Sequence, residues 1–544
     1  MVFLCASWIA IALLINPTGD FPLNDDWSFG LPVEHLVTNG DLRFTNWQSQ
    51  TLIGQVLWGA AFCLPDGFSF TALRISTLAI GLLGVLAVYG LARELKASHA
   101  LAVAAAMLVA LNPIYLGLSY SFMSDVPFAA ALAGSVYFLA RGLSTDRASH
   151  LLAGLALAGY SVSIRQFGMA IFLGFAVASF TKWGPSWRWI KWAVVPIVVA
   201  AMSLVAYSLA LRYTGRLPDM YGQKTIGAVV IDLAHFRLGA IKVPLRVMLI
   251  SLMYLGLFTL PFQALVVPPA VRSWSRSVLV WATGVVSLVA VAITWLLAHF
   301  HWLMPMTGNI VVDFGLGLRD AAGPVPHGAS TPFWIAVTLS AAVGLCGLGA
   351  VVALSLSSAV AQCARFQKLD ATDAVKVFLA ATCLIYVLPL AMMYDLLFDR
   401  YLLPILVVLP ALLLGASRST DVPKSAWLLF TVTLSALGIF AVASTHDLLD
   451  WNRARAVAFN ELTERRGIDV EETDAGFALN NLLPNRKRMQ EGGVDGLVDR
   501  SKARYIICQA LPTGYRAISE FDCHPWLPYA IEQLWIAERE PPTQ

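Results

Sequence analysis

The run "LRISTLAIGLLGVLAVYGLAREL", residues 73–95, holds about twenty consecutive mainly apolar positions between an arginine near its start and Arg93 and Glu94 at its end. A helix needs about 20 apolar residues to cross the hydrocarbon of a bilayer, so this stretch reads as a membrane span. It is one of many. Laid end to end, the apolar runs give roughly 13 spans, centred near 2–16, 70–92, 99–116, 126–141, 149–164, 168–181, 192–211, 247–270, 277–298, 333–357, 374–394, 401–416 and 425–443. Hydrophobic residues make up 58% of the 544, charged residues 13%, and mean hydropathy is +0.68, the composition of an integral membrane protein. A net charge of +3 spread over such a length offers no footprint for nucleic acid.

Basic residues recur in every second short loop: Arg93 and Lys96; Arg141 and Arg147; Lys182, Arg188 and Lys191; Arg272 and Arg276; Arg365 and Lys368; Arg418 and Lys424. By the positive-inside rule these loops are cytoplasmic. The first apolar run lacks a basic flank and a small-residue cleavage site, so it reads as an uncleaved anchor with its amino terminus inside. An odd number of spans then puts the segments 17–69, 212–246 and 299–332, and the tail 444–544, on the external face. The expected architecture is an all-α polytopic membrane domain, 1–443, followed by a small external α/β domain, 444–544. Within the first external segment, 44–64 carries tryptophans and no lysine, and reads as a helix lying along the membrane surface.

Polar groups collect on that same external face. "FPLNDDWSFG" (21–30) holds Asp25 and Asp26; "SYSFMSDVPF" holds Asp125; "SIRQFG" holds Arg165 and Gln166; "YDLLFDRYLLP" holds Asp395, Asp399, Arg400 and Tyr401. Ionisable groups at a membrane boundary are costly when they face lipid and normally turn toward a polar cavity or a partner. Each has a plainer reading: "SDVP" is a good helix start with Ser124 or Asp125 as N-cap, lone arginines snorkel to headgroups, and an acidic pair can be a solvated turn. Seven cysteines show no CxxC, and His35, His235, His301 and His327 are scattered over separate loops, which gives no zinc pattern. In the tail, "WNRARAVAFNELTERRG" reads as a helix ending at Gly467 and "IDVEET" and "ARYIIC" as strands. Cys508 and Cys523, its two cysteines, are placed for a disulfide in an oxidising compartment.

In order and spacing, the acidic pair after the first span, the "MSDVP" segment, "SIRQFG" and "DRYLLP" resemble the GT-C glycosyltransferases of the lipid A aminoarabinose transferase and protein O-mannosyltransferase superfamily. The resemblance implies a polyprenyl-phosphate sugar donor, a catalytic carboxylate in the first external loop, a glycan, lipid or protein acceptor, and residence in a bacterial inner membrane among its lipids. Where that family usually has Asp-Glu, this chain has Asp25-Asp26, and no basic residue follows the pair. Moving a sugar from a lipid phosphate to a hydroxyl needs a base for the acceptor proton and neutralisation of the departing phosphate. Asp25 or Asp26 is the expected base, with position favouring Asp25. Asp125 is expected to hold the acceptor or orient the loop; Arg400, then Arg165, with Asp399 and Tyr401, are expected at the donor phosphate. No cofactor is required, and the alternative is a divalent cation bridged by Asp25, Asp26 and Asp125. A lipid-linked sugar transporter or flippase would call for internal repeats and mid-membrane charges. A non-catalytic scaffold would leave the external acids incidental.

Overall fold

In a computed structural model, residues 1–221, 239–317, 328–365, 367–393, 397–416, 421–491, 497–499, 503–528 and 530–540 are described. Asp395, His235 and His327 lie outside them. The chain is mainly helical, and each apolar run has a helical counterpart: α1 Val2–Ile15, α2 Asp26–Asn39, α3 Ile53–Cys63, α4 Phe70–Glu94, α5 His99–Ala110, α6 Pro113–Ser119, α7 Asp125–Thr145, α8 Ala148–Ile164 and α9 Met169–Trp183. There follow α10 Trp187–Tyr213, α11 Gly239–Ala270, α12 Arg276–His299, α13 Thr331–Ala364, α14 Ala371–Met393, α15 Leu403–Leu406, α16 Leu409–Leu414, α17 Lys424–Asn460 and α18 Phe477–Gln490.

The expected 13 spans are not reproduced. Among the described residues eight helices are long and apolar enough to cross a membrane, or nine when α5 and α6 are taken together as one span bent by 64°. The remaining runs are short or interrupted. At 1.5 Å per residue the 14 residues of α1 reach about 21 Å against a hydrocarbon core of about 30 Å. One helix ends at Ala110, and Asn112 caps the next, accepting from the N–H groups of Ile114 and Tyr115, while Pro113 supplies the fixed φ of a first turn. The run 401–416 is broken the same way by Pro404 and Pro410, which head α15 and α16.

Two other expectations are corrected. The surface helix proposed for 44–64 is helical only over Ile53–Cys63; residues 44–52 are irregular and carry the tryptophan that reaches the site. In the tail, "IDVEET" forms a 3-10 turn over Val470–Glu472 and gives only Thr473 to the two-residue strand β1, Thr473–Asp474. The sheet is completed by β2 Tyr505–Cys508, β3 Tyr515–Asp522 and β4 Gln533–Arg539, in the order β1-β2-β4-β3. That order also removes the expected disulfide. Cys508 ends β2 and Cys523 directly follows β3, and both are free and buried. With β4 between those strands, two strand spacings of about 4.8 Å exceed the roughly 7 Å a disulfide can bridge.

Tail and membrane part are joined by α17, which runs unbroken through position 444. From it, Arg453 donates to the carbonyls of Asn16 and Thr18 behind α1. Below the sheet, Ala478, Leu482 and Met489 of α18 belong to the same buried apolar cluster as the membrane helices. Arg486 closes the contact on Glu34 of α2 at 2.8 Å.

Candidate active site

The polypeptide between α1 and α2 is locked before it delivers the acidic pair. Arg74, fully buried in the first turns of α4, donates to the carbonyls of Pro17, Gly19 and Phe21, and its guanidinium stacks 4.2 Å from the Phe21 ring. Sequence reading passed over this arginine because it sits in an otherwise apolar run. Its three carbonyls set where Asp25 and Asp26 emerge.

The two acids then do different things. Asp26 is 1% exposed, and both its carboxylate oxygens are taken by backbone N–H groups, Oδ1 by Phe122 at 2.9 Å and Oδ2 by Leu23 at 3.2 Å. Burial pushes its carboxyl up to about 7, against the lowering effect of Arg74 and those two N–H donors. Asp26 is therefore a tie between the first external segment and the "SYSFM" loop. Asp25 keeps 14% of its side chain exposed. Its Oδ1 accepts from the Trp47 indole at 3.0 Å, and its Oδ2 faces both Nη atoms of Arg400 at 3.5 Å. Although Asp25 is the N-cap residue of α2, its carboxylate is not spent on capping.

A second ion pair stands alongside. Arg165 Nη2 is 2.9 Å from Asp125 Oδ1, and Arg165 Nε donates to Ser124 Oγ at 2.9 Å. This answers the plainer reading of "SDVP": Ser124 is the N-cap of α7, yet its hydroxyl makes no capping bond and serves the arginine instead. Both acids still sit at helix N-termini, where the backbone dipole favours negative charge.

Arg400 and Arg165 share the ring of Tyr401, their Cζ atoms 5.6 and 5.7 Å from its centroid, and Arg400 also lies 5.1 Å from Phe398. Burial works against the Arg400 charge, and Asp125 and Asp25 more than offset it, so its proton affinity is raised. Asp399 does not touch the guanidinium. Its carboxylate accepts from the N–H groups of Ile310, Val311 and Arg400 at 3.1, 2.8 and 2.8 Å, pinning the loop before α15 to the segment around 310. Burial raises its carboxyl to about 6, with those three N–H groups opposing.

Asp25, Arg400, Tyr401, Arg165 and Asp125, drawn from four separate stretches of chain, thus form one charged row, and Asp26 and Asp399 fix the loops that carry it. Trp47 and Met123, whose sulfur lies 3.9 Å from Arg400 Nη1, were not singled out from the sequence as site residues, and Ser124 was read there only as a helix cap. A cavity of about 60 Å³ adjoins the row at Met123 and Ile310, bordered on the tail side by Arg455 and Phe477. Of the three aspartates, Asp26 accepts from backbone N–H groups and Asp125 is paired with Arg165. Among the described residues no group of three His, Cys, Asp or Glu side chains is placed to hold a metal.

Residues 52–212 match the family model for dolichyl-phosphate-mannose-protein mannosyltransferase, the superfamily that the order of the external motifs resembles. No curated protein matches the chain. Among solved structures, similarity is found to ArnT from Cupriavidus metallidurans bound to undecaprenyl phosphate, at 13% identity and TM-score 0.39, covering 100% of this chain and 99% of that one. It is also found to the Archaeoglobus fulgidus oligosaccharyltransferase tethered with an acceptor peptide, at 14% identity and TM-score 0.38, covering 92% of this chain and 60% of that one. The protein is an integral membrane protein.

Proposed function

We propose that this chain is an inverting membrane glycosyltransferase that moves a sugar from a polyprenyl-phosphate donor to an acceptor hydroxyl on the external face of a bacterial inner membrane. The observation that carries the reading is the Asp25–Arg400 pair: a carboxylate and a guanidinium 375 positions apart meet at 3.5 Å, and the Asp25 side chain stays 14% exposed while Asp26, Asp125 and Asp399 are buried and held by other groups. The match of residues 52–212 to a family of sugar transferases supports the same reading.

Asp25 is the base. Its carboxylate takes the acceptor's hydroxyl proton as the new C–O bond forms at the anomeric carbon. The bond from that carbon to the phosphate oxygen breaks on the opposite face, which inverts the centre, and polyprenyl phosphate leaves as a monoester dianion. No acid is needed if the dianion is met by fixed positive charge. The Arg400 fork supplies it, with Arg165 beside it and Tyr401 holding the two guanidinium planes. Asp125, neutralised by Arg165, is left to orient that second arginine or the acceptor. Asp26 is buried with each oxygen already accepting a backbone N–H, so the base role goes to its more open neighbour.

The test is transfer from a purified lipid-linked sugar by the full-length protein. Asp25→Asn should abolish product while leaving expression, membrane insertion and melting temperature unchanged. Turnover at the wild-type level by Asp25→Asn would end the assignment. A chain that binds the donor but never forms product, in wild type as well, would favour a carrier of lipid-linked sugars.

A further inference from the structure

We infer that a groove between α4, α7 and α8 is a binding site for one anionic phospholipid, held head-down at the face of the membrane opposite the charged row. Helices α4 and α7 run parallel in a steady register. A Cβ added to Gly81 would meet Val126, to Gly84 would meet Ala130, and to Gly90 would meet Tyr137. Helix α8 returns antiparallel on the other side, with Leu157 against Gly134. Along this stretch the floor formed by α7 is small, Ala130, Ala131 and Gly134, while the α4 wall is raised by Ile80, Leu83 and Leu86; the result is a channel of about 790 Å³. From Ile80 to Arg93 it spans about 20 Å at 1.5 Å per residue, longer than one leaflet's share, about 15 Å, of the hydrocarbon.

The two ends differ. One is closed by aromatic groups, Trp58 and Tyr160, whose polar atoms are tied to the Ser76 and Gly54 carbonyls. The other carries Arg93 and Arg141 with Tyr89 and Tyr137. Arg141 gives one of its five N–H donors to the Tyr137 hydroxyl at 3.0 Å, and Arg93 gives one to the Ala97 carbonyl, so each guanidinium at this end of the groove has further N–H donors beyond that bond. Glu94 also lines this end and offsets one of the two charges. The net cation, the apolar shaft and the length fit a lipid with an anionic phosphate head and its chains drawn up the shaft. It is not the donor phosphate of the charged row: Arg141 is sixteen residues beyond Asp125 on the same helix, about 24 Å away.

Native mass spectrometry of the full-length protein in detergent, with equimolar dioleoyl phosphatidylglycerol and dioleoyl phosphatidylcholine, reads the site directly. Wild type should retain one phosphatidylglycerol in preference. Arg93→Gln with Arg141→Gln should weaken that retention by on the order of tenfold or more, as expected for removing two arginines near an anionic head. Ala87→Phe, which fills the shaft from its partly exposed wall, should lose both lipids. Asp25→Asn should retain phosphatidylglycerol as wild type does. Equal retention of the two lipids, or undiminished preference in the double arginine variant at unchanged melting temperature, overturns the inference.

Discussion

Replacing Arg400 by lysine keeps the charge and removes the fork, which makes it the sharpest probe of the proposed phosphate clamp. Both Nη atoms of Arg400 sit 3.5 Å from a single Asp25 oxygen. A charge-assisted N–H···O bond is about 2.7–2.9 Å, so this pair is loose enough to be exchanged for two phosphate oxygens. The rings of Phe398 and Tyr401 hold the guanidinium plane in place, at 5.1 and 5.6 Å. Lysine would present one ammonium and lose one of the two parallel bonds. A hydrogen bond to a charged group contributes about 1.5–3 kcal/mol, which is roughly 12- to 150-fold in rate when the charge grows in the transition state. We expect kcat for sugar transfer to fall about a hundredfold in Arg400→Lys, with KM for the lipid-linked donor changed much less. Asp399→Asn, which acts by loosening the loop that carries the arginine, should fall in the same direction by a smaller factor. Melting temperature and gel filtration in detergent check that the variant is folded. Near-normal turnover, or a loss seen only in KM, would refute the clamp, because either would mean that any cation at this boundary serves.

Trp47→Phe removes the indole N–H that fixes Asp25 Oδ1 and leaves an aromatic ring against Phe477, so kcat should drop about tenfold with KM unaltered; an unchanged kcat would make Trp47 packing only. Asp26 titrates near 7 in the folded protein against 3.8 in its ordinary state, so its burial costs stability progressively as pH rises from about 4 to about 7. The melting temperature of Asp26→Asn minus that of wild type should therefore rise across that window, and a flat difference would contradict a buried, uncharged carboxyl. Cutting the Arg486–Glu34 contact with Arg486→Ala should loosen the tail from α2 and speed protease cleavage near α18 several-fold, with transfer reduced only as far as Phe477 shifts against Trp47.

The apolar runs announced the helices well, because hydropathy summed over a window is nearly all a span requires. What it does not register is where a helix breaks. Asn112-Pro113 bends one apolar run by 64°, and Pro404 and Pro410 divide another into short helices, neither of which the summed hydropathy registers. The charged row was legible for a related reason: carboxylates and arginines are scarce in this composition and stand out at the external boundaries. Their pairing was not. Position favoured Asp25 over Asp26, but the physical difference comes from the backbone N–H groups of Leu23 and, 96 residues away, Phe122, which are brought to one acid and not the other. Trp47 was hidden in a segment read as a surface helix, and Arg74 in a span. In the tail, β3 was missed because its exposed and half-buried positions give no clean alternation, and the sheet order that separates Cys508 from Cys523 is a property of long-range pairing.

Helix α17 is 37 residues long, about 55 Å, of which a bilayer core accounts for about 30 Å. The surplus is a mast. Because no joint separates the membrane stretch from the part bearing Leu448, Asn452 and Arg455, a tilt at the foot of α17 is delivered undiminished to the residues bordering the cavity beside Met123. Anyone wishing to swap the tail between proteins should accordingly cut after Gly467, where φ is +64° and the rod has ended, and leave position 444 intact.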